Sequence, residues 1–264
     1  MTSSGQTRTE QKAQPEVVAL FVSDLHLSPE TPKTLAVFFN FLQNEAIKSR
    51  SLYLLGDLFD SWPGDDDLDS LFPQSVCNEL RRVSDNGTKI YWLGGNRDFL
   101  VGSQFAAAAG FTLLEEPHIA DFDHQKILLV HGDAQCTDDI AYMAFRTQVR
   151  DREWQSAFLA RPLSERKNII AGMREGSRAA QKEKSMDIMD VNSAQIAALF
   201  KTHQVSVLIH GHTHRPGVHT YAEGIRYVLP DWDYDAQETR GGWLGINQAG
   251  EINLVTNAKP DFVS

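Results

Sequence analysis

The run Val17-Val18-Ala19-Leu20-Phe21-Val22-Ser23-Asp24-Leu25-His26 decides the fold. Its apolar half, rich in valine and leucine and bounded by polar residues, reads as a buried strand. It ends in a carboxylate and an imidazole two residues apart. A tight turn there lets both side chains face one point beyond the strand's C-terminal edge, where open α/β sheets bind ligands.

Working outward, the same design recurs. Leu52–Leu55 runs into Gly56-Asp57, and Lys89–Leu93 into Gly94-Gly95-Asn96-Arg97-Asp98. Lys126–Val130 ends in His131-Gly132-Asp133, and Val205–Ile209 in His210-Gly211-His212-Thr213-His214. Helical spacing fills the gaps. Thr31-Pro32 predicts a helix start with a hydroxyl cap and a proline in the first turn. A second helix is predicted over about 70–85, stopped by Asn86-Gly87, and a short alanine-rich helix follows Asp98. Ile119–Phe122 pairs with Lys126–Val130 as a hairpin, and Asn192 caps a later helix with Gln195 completing a capping box. Ile225–Leu229, Trp243–Asn247 and Glu251–Val255 alternate as strands.

Strands alternating with helices early and hairpins late predict an α/β (α+β) sandwich of two β-sheets with helices outside. The stretch 137–190 is helical throughout and interrupts that alternation, so it reads as a helical cap insertion over the strand ends. The predicted organisation is a disordered polar tail over 1–15, a core from 16–136 and 191–257, the cap over 137–190 and a C-terminal tail over 258–264.

The 264 residues are 42% hydrophobic and 23% charged, which are globular proportions, and one domain of this length buries a sizeable core. A net charge of −10 argues against nucleic acid as a partner. The two cysteines, Cys77 and Cys136, stand in no C-x-x-C pattern and read as reduced thiols of a cytosolic protein. Residues 1–15 lack the apolar centre of a signal peptide, and no run approaches the roughly 18 apolar residues of a membrane helix.

Each donor at a strand end is, taken singly, an ordinary turn residue; five in succession are not. Asp24, His26, Asp57, Asn96, His131, His212 and His214 mix carboxylate, amide and imidazole without thiolate, which suits manganese, iron(II) or zinc and not a structural cysteine site. Seven donors are too many for one catalytic ion with open positions. They suit two divalent ions about 3.5–4 Å apart sharing a carboxylate, for which Asp57, isolated at its strand end, is the candidate. Such a pair lowers the pKa of a bound water and clamps phosphoryl oxygens. Arg97, beside Asn96, suits the charge that develops on a transferring phosphoryl group. Asp98 and Asp133 read as groups that orient the ligands. His210 reads equally as a buried structural histidine or as a ligand.

The motifs D-x-H, G-D, G-N-R-D, H-G-D and G-H-T-H, in this order from about 17 to 232, resemble the calcineurin-like metallophosphoesterases. That resemblance implies a double β-sandwich, with Asp24, His26, Asp57 and His214 on one ion and Asp57, Asn96, His131 and His212 on the other. Asp24-Leu25-His26-Leu27, the run Gly56–Asp66, Gly95–Phe99, Cys136–Asp139 and Ile188–Asn192 are similar, more closely, to the UDP-2,3-diacylglucosamine diphosphatases of lipid A biosynthesis. Asp60 and Pro63 depart from that pattern, where Glu and Ile are expected, and about 15 residues are added in front.

The closer resemblance implies attack by a metal-bound hydroxide on the α-phosphorus of a lipid-linked nucleotide sugar, releasing UMP and 2,3-diacylglucosamine 1-phosphate. Asn96, Arg97 and His212 would be catalytic, with two ions, most simply Mn2+. Asn96, Arg97, Asp139, Tyr142, Arg174, Ser177, Gln181, Lys184 and His212 would contact substrate. The expected location is cytoplasmic, peripheral to the inner membrane, with no obligate protein partner. The segment 150–184 fits a lipid substrate: it has nine Lys/Arg against five Asp/Glu in an acidic chain, interleaved with Trp154, Phe158, Leu163, Ile169 and Met173. Another binuclear phosphoesterase, such as a nucleotide phosphodiesterase, and a non-catalytic lipid-binding relative are the alternatives.

Overall fold

The structure, a computed structural model, describes residues 17–123, 125–183 and 190–257, with 177–183 described by backbone alone. Both predicted tails, Lys184 and the side chains of Ser177 and Gln181 lie outside the described residues.

Apolar runs at the predicted places form strands β1 (Val17–Val22), β2 (Ser51–Leu54) and β3 (Lys89–Leu93), which pair in parallel. Crossover helices α1 (Pro32–Asn44) and α2 (Leu71–Asp85) connect them, and α3 (Ser103–Ala109) leads to β4 (Phe111–Leu114). The hairpin β5 (His118–Phe122) and β6 (Gln125–Leu129) begins the second sheet. Helices α4 (Ile140–Arg150), α5 (Arg152–Leu159), α6 (Leu163–Glu183) and α7 (Ser193–His203) follow. The chain closes with β7 (Val207–His210), β8 (Gly217–Thr220), β9 (Ile225–Val228), β10 (Gly242–Asn247) and β11 (Ile252–Thr256). The six-stranded sheet has the order β11-β10-β1-β2-β3-β4 and the five-stranded sheet β5-β6-β7-β9-β8.

The period of two sorts the strand residues into layers. Ala19, Phe21, Tyr53 and Leu55 face Ile127, Leu129, Val207 and Ile209 in a core between the sheets. Their neighbours Leu20, Val22, Leu52, Leu54, Ile90 and Trp92 pack outward on Phe38, Phe41, Val76, Leu80 and Phe105 of α1–α3. Leu128 and Leu208 do the same against Ile196 and Phe200 of α7. The result is helices, sheet, sheet, helices, with the central strands buried on both faces.

Some local expectations change. Strands β4 and β8 were not anticipated from the sequence: β4 is a short run at the sheet edge, and β8 is mostly exposed. The Thr31 hydroxyl does not cap α1; it accepts from Ser28 N–H at 3.1 Å. The first-turn N–H groups of Lys33 and Thr34 donate instead to the Asp235 carboxylate, at 3.1 and 2.9 Å, about two hundred residues away in sequence. Asn192 does cap α7, accepting from Ala194 and Gln195 N–H. Cys77 and Cys136 are buried and form no disulfide. No described helix is long and apolar enough to cross a membrane.

Candidate active site

The loops after β1, β2, β3, β6 and β7 converge at one end of the seam between the sheets. Asp24, His26 and His214 bring their ligand atoms within 4.8 Å of one another, and so do Asp24, Asp57 and His131. Asp24 is common to both triads, and Asp57 lies in the second beside His131. His26 Nε2 and His214 Nε2 face each other at 3.2 Å. Asn96 Oδ1 lies 3.0 Å from His131 Nε2 and 2.9 Å from His212 Nδ1. All seven predicted donors therefore meet, though Asp24 and His212 are 188 residues apart.

The backbone is bent to achieve this. Asp24, His26, Asp57, His212 and His214 all have φ between 47° and 67°, the left-handed region that costs an ordinary residue about 1–3 kcal/mol. Only two other described non-glycine residues, Gln204 and Asn257, share it, so the strain is concentrated at the site. Glycine makes the crowding possible. A Cβ on Gly95 would collide with Asp57 Oδ1, and one on Gly211 with Asp24 Oδ2.

Surrounding groups hold the donors in place. The buried Asp98 carboxylate accepts from Gly95 N–H at 2.8 Å, Asp57 N–H at 3.2 Å and Leu58 N–H at 2.8 Å, tying two donor loops together. His131 Nδ1 lies 2.9 Å from Leu55 O, so Nδ1–H donates there and Nε2 faces the cluster. His212 N–H donates to Asp24 Oδ2 at 2.8 Å. Arg97 N–H donates to Asp57 Oδ1 at 2.8 Å, and its guanidinium lies 3.7 Å from both Asp57 and Asp60.

The electrostatics suit cations. Burial pushes the His131 imidazole down, but Asp57, Asp24, Asp133 and Glu116 together raise it to about 9. Burial raises the Asp57 carboxyl to about 7, with Asp98 and Asp24 adding to it against the pull of His131. Burial and the neighbouring His131 lower His212 to about 4. Asp24 Oδ1 and His26 Nδ1 are buried without a hydrogen-bond partner. Crowded carboxylates, ring nitrogens turned inward and an unpartnered carboxylate oxygen fit divalent cations of the oxygen- and nitrogen-binding kind.

The expected substrate residues divide. Tyr142 sits with its ring 6.0 Å from that of His212, and its O–H donates to Asp133 Oδ2 at 2.7 Å. Asp139 caps α4, accepting from Tyr142 N–H at 3.0 Å. Arg174 pairs with Asp60, which in turn neighbours Arg97, so this aspartate links α6 to the loop after β3. His210 is fully buried, with Nδ1 2.8 Å from Gly211 O, and is in neither donor triad. The sequence reading overlooked Asp231, whose carboxylate lies 3.5 Å from His214 Nδ1 and accepts from Arg240 Nε. Its signal was present: like the other donors, it follows an apolar strand, β9.

The calcineurin-like phosphoesterase family model matches residues 18–216. A UDP-2,3-diacylglucosamine hydrolase of Aromatoleum aromaticum is 48% identical over 231 residues, covering 86% of this chain and 93% of that protein. Proteins of the same name from Chromohalobacter salexigens and Escherichia coli O7:K1 are 47% and 46% identical, covering 82% and 90% of this chain and 89% and 98% of theirs. A solved archaeal phosphodiesterase overlays at a TM-score of 0.45 and 12% identity, over 90% of this chain and 98% of that one. The chain belongs to the calcineurin-like phosphoesterase family, among its UDP-2,3-diacylglucosamine hydrolases.

Proposed function

We propose that the protein cleaves the pyrophosphate of UDP-2,3-diacylglucosamine, giving UMP and 2,3-diacylglucosamine 1-phosphate on the route to lipid A. The observation that carries this reading is the convergence of seven donors beside Arg97, in a chain 48% identical to a hydrolase named for that substrate. Asp24, His26, Asp57 and His214 would hold one divalent ion and Asp57, Asn96, His131 and His212 the other, with Mn2+ as the metal. Those ions, when bound, would supply a water of lowered pKa and a clamp on phosphoryl oxygens.

The chain's own groups do the rest. Water adds to the α-phosphorus, the bond from that phosphorus to the bridging oxygen breaks, and the bridging oxygen leaves on the sugar phosphate. Arg97, held against Asp57 and Asp60, offsets the charge growing on the phosphoryl oxygens. Asn96 and His212 would touch the same group. Asp139, Tyr142, Arg174, Ser177, Gln181 and Lys184 would bind the sugar and phosphates from the helical insertion over 137–190, acting as a cap. Exposed Ile140, Phe145, Leu159 and Met173 on α4–α6, interleaved with exposed Arg152 and Arg161, support contact with the anionic cytoplasmic face of the inner membrane.

Incubation with Mn2+, detergent and the diacylated UDP-sugar is expected to release UMP, while UDP-N-acetylglucosamine and a cyclic nucleotide release little. Equal turnover of the cyclic nucleotide would favour a nucleotide phosphodiesterase, and no turnover with any divalent metal a non-catalytic lipid binder. Salt-sensitive sedimentation with anionic vesicles tests the membrane contact; sedimentation no greater than with neutral vesicles would rule it out.

A further inference from the structure

Helix α4 turns one polar stripe toward the core: Asp139 at its N-cap, then Tyr142, Arg146 and Arg150, three and four residues apart and so on one face. Arg146 Nε donates to Asp133 Oδ2 at 2.8 Å, and its Nη2 donates to Glu116 Oε2 at 3.3 Å. The other Glu116 oxygen accepts the backbone N–H of His131 at 2.7 Å. One turn on, Arg150 Nη2 donates to Gly95 O at 2.9 Å, and its guanidinium lies 5.0 Å from the centre of the Phe99 ring.

These two strand ends belong to different sheets: His131 follows β6 of the five-stranded sheet, and Gly95-Asn96 follows β3 of the six-stranded one. Asn96 and His131 meet across the seam at 3.0 Å. We propose that Arg146 and Arg150 are positioning residues, which make α4 a clamp holding the His131 loop and the Asn96-Arg97 loop at the separation where their donors converge. Among the described residues, the two guanidiniums pair with Asp133, Glu116 and backbone carbonyls and not with a candidate donor side chain. Arg146 acts through Glu116 on the His131 backbone, and Arg150 acts on the peptide just before Asn96. The donors Asn96 and His131 depend on this clamp; Asp24 and His26 follow β1, and His212 and His214 follow β7, which α4 does not hold in this way. Asp133 is fully buried and Glu116 nearly so, so removing Arg146 also leaves two buried carboxylates with less compensation.

The inference rests on the two-ion reading, and its test separates the two. The metal-stripped full chain, as wild type, Arg146→Ala and Arg150→Ala, is titrated with Mn2+ alone by calorimetry and Mn2+ paramagnetic resonance, with Tm recorded alongside. Wild type is expected to take two ions. Each variant is expected to weaken one of them by about 10–100-fold, as for residues that orient a ligand, with the other ion nearly unchanged; Tm stays near wild type in Arg150→Ala and falls in Arg146→Ala, which uncovers buried carboxylates. Arg150→Ala removes bonds to the Gly94 and Gly95 carbonyl oxygens and a looser pair with Asp133 at 3.8 Å, which leaves Arg146 still on that carboxylate, so it decides the matter if Arg146→Ala does not fold. Wild-type affinity for both ions in the variants overturns the clamp, as does an equal loss of both ions together with a lowered Tm. A wild type that takes one ion sinks the two-ion reading, and the clamp is then judged on whether that ion weakens in the variants.

Discussion

Around Asp57 the chain is held by its own backbone. Asp98 gathers four N–H groups there, those of Gly95, Asp57, Leu58 and Phe59, glycines admit the carboxylates, and left-handed residues turn the donors inward. Around α6 the means are different. Arg166, Lys167 and Arg174 reach from the helix to Asp66, Asp67 and Asp60 of the loop after β2, and Arg166 also donates to Pro63 O. Backbone-fixed loops hold atoms to fractions of an ångström, as metal chemistry requires. Arg166 is buried, but the half-exposed Lys167 can leave its partner at little cost, which suits a surface that must admit a large substrate.

That contrast orders the expected effects of substitution. Asp57→Ala removes a donor from the backbone-fixed region. It is expected to lower kcat by more than the ~100-fold upper end for a residue that only orients a ligand, with little change in Tm beyond the metal's own contribution. Steady-state UMP release measures this, and near-normal turnover would break the comparison at its strongest point. Asp231→Asn keeps the shape beside His214 Nδ1 and removes the charge; a drop of about 10–100-fold in Mn2+ affinity, read by titration, is expected. Lys167→Ala cuts one contact of α6. Because half of that lysine side chain is exposed, its pair with Asp67 at 2.6 Å is worth at most about 1 kcal/mol, read as a small shift in a denaturation midpoint. A larger loss would mean α6 is held as rigidly as the strand ends.

The same contrast governs what could be read in the sequence. The five donor loops were legible because each donor directly follows an apolar run, so strand and chemistry lie within a few residues of each other. The sandwich was legible in outline from the order of strands and helices. What was not legible acts over long separations. The first turn of α1 is satisfied by Asp235, and Glu116 reaches His131 through a hairpin. Arg174 reads in sequence as a phosphate ligand and is paired in the fold with Asp60. A charged residue on a helix carries no local sign of its partner, whereas a carboxylate at the end of a buried strand has few places to go.

The donors are drawn from both sheets, and this bears on how the protein holds together as well as on what it catalyses. Asp24, His26, Asp57 and Asn96 follow strands of one sheet, and His131, His212 and His214 follow strands of the other. Cations held among them would act as cross-links between segments almost two hundred residues apart, binding the docked pair of sheets and not the separated halves. By mass action their binding free energy adds to the free energy of docking. The stretches 24–96 and 131–214 would then be two components of one chelator, and neither could bind the ions as the whole does.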